Sequence, residues 1–175
     1  MAQKETDHPY QKINKIFKLF AAYKIPYFII GGAALALHGI PRNTLDVDIM
    51  IPASKETLIN LFKAAQKSGL KLQQVNIVSL VDKPKLLIGQ WLTFEDKKKR
   101  QLLDVFLEKE SCFKSIYKRS ISYVLNKINF QVVSLKDLEK MKKDSGRPID
   151  LADLALIKEL KKIKKKMVKQ KKLKF

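Results

Sequence analysis

Cysteine is almost missing from this sequence: Cys112 stands alone among 175 residues. That excludes an intramolecular disulfide framework and suits a reducing compartment. Isolated as it is, the thiol reads as a packing residue rather than a nucleophile. Histidine is nearly as scarce, with only His8 and His38, which leaves no histidine-rich ligand set of the kind many metal-dependent enzymes use. No apolar run approaches the ~18 residues needed to span a bilayer, and the opening residues MAQKETDHPY lack the apolar core of a signal peptide. These absences predict a soluble, cytoplasmic protein with no membrane partner. Negative charge is short as well, with 17 Asp and Glu against 36 Lys and Arg, a net of +19. Residues 158–175 alone hold ten lysines and one glutamate, and the rest of the chain is basic too. Such an excess points to a polyanionic partner such as nucleic acid, although a solubilising lysine tail would account for the C-terminal part.

What is present reads as a mixed α/β (α+β) chain. Apolar residues make up 46% of it, enough for a core. Ile13, Ile16, Phe17, Phe20 and Ala21 recur at helical spacing and predict a helix over 9–24. Residues 25–30 read as a short buried strand, Gly31 and Gly32 as its turn, and 33–37 as a short helix. Residues 46–51 read as the next strand. Ser54 caps a helix carrying Leu58, Leu61, Phe62 and Ala65, and Gly69 closes it. Strands are predicted over 71–81 and 86–94, then over 101–108, with a short helix over 111–117 and strands in ISYVL and INFQVV. From Leu135 the pattern is helical, broken at Ser145-Gly146-Arg147-Pro148. The last helix shows Ile149, Ala152, Leu156, Leu160, Ile163 and Met167 as an apolar stripe. The organisation expected is one domain over 1–163, with a sheet core over 25–134, a helical segment over 135–163 and a lysine-rich, fraying tail over 164–175. A sheet of five to seven strands flanked by helices fits this order.

The chemistry concentrates in GGAALALHGIPRNTLDVDIM, residues 31–50. Side chains alternate along a strand, so Asp46 and Asp48 share one face and Val47 and Ile49 the other. Two carboxylates so close repel each other unless they are well solvated, share a proton or hold a cation. A divalent ion such as Mg²⁺ meets that need through oxygen ligands. Asp104 lies in RQLLDVFLE among apolar neighbours, where a lone carboxylate is expensive to bury. If its strand lies beside that of Asp46 and Asp48, three carboxylates converge into a metal site suited to phosphoryl or nucleotidyl transfer. The glycine pair would let a phosphate approach a helix N-terminus. Each feature alone has a plainer account: a surface strand, a cap, an ordinary turn. Their order is the informative part.

That order resembles the nucleotidyltransferase superfamily with the DNA polymerase β-like core. Its signature is an apolar residue, two small residues, a spacer, D-x-[DE] and a third carboxylate on a later strand. Ile30-Gly31-Gly32, Asp46-Val47-Asp48 and Asp104 match it. Within that superfamily the chain is similar to the minimal nucleotidyltransferases and the toxin component of AbiE-type abortive-infection systems. Ala34, Arg42 and Thr44 match their segment after the glycines. KDSGRPIDLADL matches their helical motif more loosely, offering Lys142 or Lys143, Arg147, Asp150 and Asp153. The resemblance implies that Asp46, Asp48 and Asp104 are catalytic and hold Mg²⁺ or Mn²⁺. It implies that Gly31, Gly32, Arg42, Thr44 and Lys142 meet the nucleotide or its phosphates. The reaction implied is transfer of a nucleoside monophosphate from an NTP to a hydroxyl; the basic chain favours RNA or tRNA as acceptor, a protein hydroxyl, a small molecule or an antibiotic stays open, and an antitoxin is a candidate protein partner. A catalytically inactive relative that binds nucleic acid or protein is the alternative, and a metal-dependent phosphohydrolase a third reading. Asp150 and Asp153 also read simply as ion-pair partners of Arg147 and nearby lysines, His38 as a packing or capping residue, and Trp91 as core.

Overall fold

The computed structural model describes residues 9–125 and 127–172, and side chains over 11–125 and 127–166. The side chains of 167–175, Met167 of the expected stripe among them, therefore fall outside those described. The first helix, α1 (Pro9–Ala22), buries Ile16, Phe17 and Phe20 and leaves Ala21 exposed. Strand β1 is only Phe28–Ile29, and helix α2 starts at the glycines themselves, Gly31–Leu37. Strand β2 is Val47–Pro52. Helix α3 (Lys55–Ser68) is capped by the Ser54 hydroxyl, which accepts from the Thr57 N–H, and ends on Gly69 in the left-handed region at φ 78°. Both signals were legible locally because they depend only on adjacent backbone.

The expected long strand over 71–81 shortens to β3 (Lys71–Leu72). Two 3-10 turns, Val75–Leu80 and Pro84–Leu87, replace the rest and the start of the strand expected over 86–94. Val75 and Val78 are exposed, so β-branched residues there had no sheet face to cover, and propensity without packing does not make a strand. The order resumes with β4 (Trp91–Glu95), β5 (Gln101–Glu108), α4 (Glu110–Tyr117), β6 (Ile121–Leu125) and β7 (Ile128–Val132). Helix α5 is Leu135–Ser145 and α6 is Pro148–Lys172. Gly146, at φ 64°, makes the break between them.

All seven strands form one mixed sheet in the order β3-β4-β5-β2-β1-β7-β6. Strands β2 and β5 run parallel, and β1 is antiparallel to β2 but parallel to β7. The core takes Phe28, Ile49, Ile51, Val105 and Leu107 from these central strands. Ile49, Ile51, Val105 and Leu107 face one way, and the carboxylates of β2 and β5 therefore face the other.

Helix α6 departs from expectation in two respects. It stays helical through residues 164–172, the segment expected as a fraying tail. Its packed line is Asp150, Asp153 and Ile157, while Ile149, Ala152, Leu156 and Ile163 of the expected stripe are exposed. The observed face is offset by one residue, about 100° of rotation. The cause is Lys142 of α5, itself buried, whose ammonium lies 2.9 Å from Asp150 and 2.7 Å from Asp153. Placing those two carboxylates outward would strand a buried cation, which costs more than exposing an isoleucine. Among the described residues no helix is long and apolar enough to cross a membrane.

Candidate active site

Parallel pairing of β2 with β5 sets Asp48 directly opposite Asp104. Asp46 precedes β2 by one residue and shares the face of Asp48. One oxygen from each of the three carboxylates lies within 4.8 Å of the others. Burial, reinforced by Asp46 and Asp104, pushes the Asp48 carboxyl up to about 6, although the Gly32 N–H donates to it. Burial also raises Asp104; a hydrogen bond from Thr93, its register partner on β4, opposes the rise, and Asp46 adds to it. The Oδ1 atom of Asp104 is buried without a hydrogen-bond partner. A buried oxygen left without a donor, beside two more carboxylates, is a ligand set for a hard divalent cation such as Mg²⁺. The residues present therefore fit such an ion.

Gly31 is required by this arrangement. The Ile30 N–H donates to the Asp48 carbonyl at 2.9 Å, which lays the start of α2 under the carboxylate. Gly31 has φ 63°, and a Cβ there would fall 1.9 Å from Asp48 Oδ2. Gly31→Ala should cost about 1–2 kcal/mol of backbone strain and displace the carboxylate. Calorimetric titration with Mg²⁺ checks this: affinity should fall at least tenfold, and an unchanged affinity would show that Asp48 is not a ligand. Gly32 has another neighbour. A Cβ on it would meet the Thr44 side chain at 3.2 Å, so this glycine lets the 42–44 loop close over α2. Thr44 Oγ1 donates to Asp46 Oδ1 at 2.8 Å and orients that carboxylate.

The opposite wall comes from α5 and α6. Lys142 is held by Asp150 and Asp153. Arg147 Nε donates to Asp150 Oδ2 at 2.8 Å. Arg42 Nε lies 3.3 Å from Asp153 Oδ1, an ion pair without hydrogen-bond alignment. Burial would raise the Asp150 carboxyl, but hydrogen bonds from Arg147 and Lys142 outweigh it and hold that group well below its usual range. The structural reading of Asp150 and Asp153 as ion-pair partners describes this network. Lys143 instead pairs with Glu139 at 3.1 Å, so Lys142 is the lysine that lines the cleft.

Gly31, Gly32, Arg42, Thr44, Asp46, Asp48, Asp104 and Lys142 all line one open cleft of about 690 Å³. Trp91, expected in the core, lines the cleft as well and is 44% exposed, and its neighbour on the same face of β4, Thr93, bonds Asp104. The signal was available: in WLTFE, Leu92 and Phe94 take the buried face, so Trp91 and Thr93 must take the face of Asp104. His38 is a packing residue, its Nε2 2.8 Å from the Val133 carbonyl.

Comparison of the sequence finds no matching family model and no matching curated protein. Solved structures do match. A Thermotoga maritima protein assigned as a nucleotidyltransferase superposes with a TM-score of 0.57, over 87% of this chain and 92% of its own, at 13% identity. An antigenic nucleotidyltransferase-like protein from Paracoccidioides brasiliensis gives 0.55, over 89% and 77%, at 15% identity. ANT(2")-Ia, in complex with adenylyl-2"-tobramycin, gives 0.53, over 85% and 87%, also at 15% identity. The likeness at these identities is one of fold. By those three superpositions, this chain shares the fold of these nucleotidyltransferase structures.

Proposed function

We propose that this protein is a metal-dependent nucleotidyltransferase that moves a nucleoside monophosphate from an NTP to a hydroxyl of RNA and releases pyrophosphate. The observation that carries this reading is the registered pair Asp48 and Asp104, with Asp46 beside them, seated on a glycine that has no room for a Cβ. Mg²⁺ or Mn²⁺ held by Asp46, Asp48 and Asp104 would neutralise the triphosphate and polarise the reacting phosphate. The chain's own residues do the rest. Gly31 and Gly32 give the phosphates close access to backbone. Arg42, on the loop beside the glycines, and Arg147, on the facing wall, stabilise the charge that builds on the leaving pyrophosphate. The Asp104 carboxylate accepts the proton of the attacking hydroxyl. The hydroxyl oxygen forms a bond to the α-phosphorus as the bond to the bridging β-phosphate oxygen breaks.

RNA is favoured as acceptor by the charge of +19 and by the exposed row Lys158, Lys162, Lys164, Lys165 and Lys166 along α6. A small-molecule hydroxyl, of the kind seen in the ANT(2")-Ia complex, does not require so basic a surface. The test is incubation with Mg²⁺, each labelled NTP in turn and total cellular RNA, beside an Asp46→Ala/Asp48→Ala control. Label should enter RNA with the native sequence only. Mg²⁺-dependent NTP binding without labelled RNA would move the acceptor to a protein or small molecule. Neither transfer nor NTP binding would favour a non-catalytic protein of this fold. The lysine row has its own test. Truncation after Lys162 keeps Ile157, Leu160 and the Lys161–Glu139 pair, so the fold should survive. RNA affinity should fall, and its salt dependence should flatten by about 0.7 for each phosphate that the shortened chain no longer neutralises. An unchanged salt slope would show that the tail does not bind phosphate.

A further inference from the structure

We infer that Trp91 is the platform on which the terminal base of a single-stranded RNA acceptor stacks, placing its ribose hydroxyl at Asp104. The inference rests on the reading of the cleft as a nucleotidyl-transfer site, and it names the acceptor side of that site.

The sheet order separates two halves of the cleft. Strand β5, with Asp104, lies between β2 on one side and β4 on the other. Asp46, Asp48, the glycines of α2 and the Arg42 loop all belong to the β2 side. A triphosphate drawn to the glycines and cations occupies that side. The hydroxyl that gives its proton to Asp104 then has to approach from the β4 side. The two β4 side chains on that face are Thr93, opposite Asp104, and Trp91, opposite Phe106. Trp91 lies two residues along the strand from Thr93, which is about 7 Å. A nucleoside spans that gap, with its base on the indole and its sugar hydroxyl toward the carboxylate.

The indole is set for such a contact. It packs against Phe106, with ring centroids 5.1 Å apart and planes at 53°, yet Trp91 remains 44% exposed. An exposed tryptophan braced by a second aromatic loses little entropy when a flat partner covers it. Ile149, at the start of α6, lines the same cleft and is also exposed, at 48%, adding apolar surface there. Base stacking on an aromatic tolerates any base. The occupant we assign is a nucleobase of a polyanion rather than an uncharged ring, because the chain carries +19 and phosphates flank every base of an RNA end.

Trp91 is the only tryptophan in the chain, so intrinsic fluorescence reports on it directly. The probe is an eight-nucleotide single-stranded RNA, intact or with an abasic 3′-terminal nucleotide, titrated at fixed salt. Intact RNA should quench the fluorescence saturably, and the abasic RNA should not. In anisotropy titrations Trp91→Leu, which keeps apolar bulk, should bind intact RNA about tenfold more weakly, and Trp91→Phe should stay within about threefold of the native sequence. The abasic RNA should bind the native protein and Trp91→Leu alike. No quenching together with equal affinity in Trp91→Leu would overturn the assignment. Quenching by an NTP alone, and not by RNA, would assign the indole to the donor base and overturn it equally. Mg²⁺-dependent NTP binding is measured on the same samples. Its loss alone would sink the transferase reading while leaving the RNA subsite standing.

Discussion

Asp48→Asn is expected to abolish nucleotidyl transfer and, without metal, to make the protein more stable at pH 8. The first effect follows from losing a ligand and a charge at the reacting phosphate. A metal's contribution there is several kcal/mol, so turnover should fall by about a thousandfold or more. The second follows from the same electrostatics with opposite sign. Asp48 is pushed up to about 6 by burial and by its two carboxylate neighbours. The folded protein therefore binds a proton that the unfolded chain has already lost, between the usual carboxylate range and about pH 6. Stability of the metal-free protein must fall as pH rises through that window and level off above it. The penalty is on the order of 2–3 kcal/mol. Asparagine has the same shape and no charge, so thermal melts of this variant in chelator should lack that pH-dependent loss. Added Mg²⁺ should raise the Tm of the native sequence far more than that of Asp48→Asn. A variant less stable than the native sequence in chelator at pH 8 would show that the carboxylates do not repel one another. Mg²⁺ affinity of the native protein should in turn weaken below about pH 6, because binding then has to displace a proton.

Lys142→Met is expected to be the most destabilising single change among the charged residues. The lysine is 6% exposed, and its partners Asp150 and Asp153 are 1% and 3% exposed. Removing one member of such a buried set costs about 3–5 kcal/mol, mostly because the remaining charges stay buried. In a domain of this size that is a drop in Tm of roughly 10 °C or more, read by circular dichroism. A loss under about 1 kcal/mol would show that Arg42 and Arg147 suffice to neutralise the pair. The network also has an acid limit. Asp150 is held below its usual range by Arg147 and Lys142 against the cost of burial. Its contribution is therefore complete at neutral pH and is lost as pH falls through the carboxylate range. Nucleotide affinity, measured at low temperature where Lys142→Met is still folded, separates the two roles this lysine can have. Unchanged affinity assigns it to holding α6 against α5; weakened affinity adds contact with phosphate.

The two variants also mark where sequence reasoning succeeds and where it fails. The Asp46, Asp48 and glycine constellation is legible because its parts are adjacent: alternation puts both aspartates on one face, and a glycine pair opens a short helix. The Ser54 cap and the Gly69 stop are legible for the same reason. The α6 stripe misleads because apolar period alone ignores a buried cation on a neighbouring helix. Trp91 misleads because a lone large aromatic suggests core, while its strand's alternation, which points the other way, counts only once its sheet is known to have an open face.

The sequence by itself determined the strand and helix order, the faces of β2 and β5, the excess of positive charge and the identity of the three carboxylates. Those properties depend on side-chain period, local capping and composition. Tertiary structure decided that Asp104 stands opposite Asp48, that α6 turns its aspartates inward to Lys142, and that residues 75–87 form 3-10 turns instead of pairing. Each of these is a choice between surfaces brought together from distant parts of the chain. The register of two parallel strands and the rotation of a helix are fixed by what they bury together, and neither partner carries that information alone.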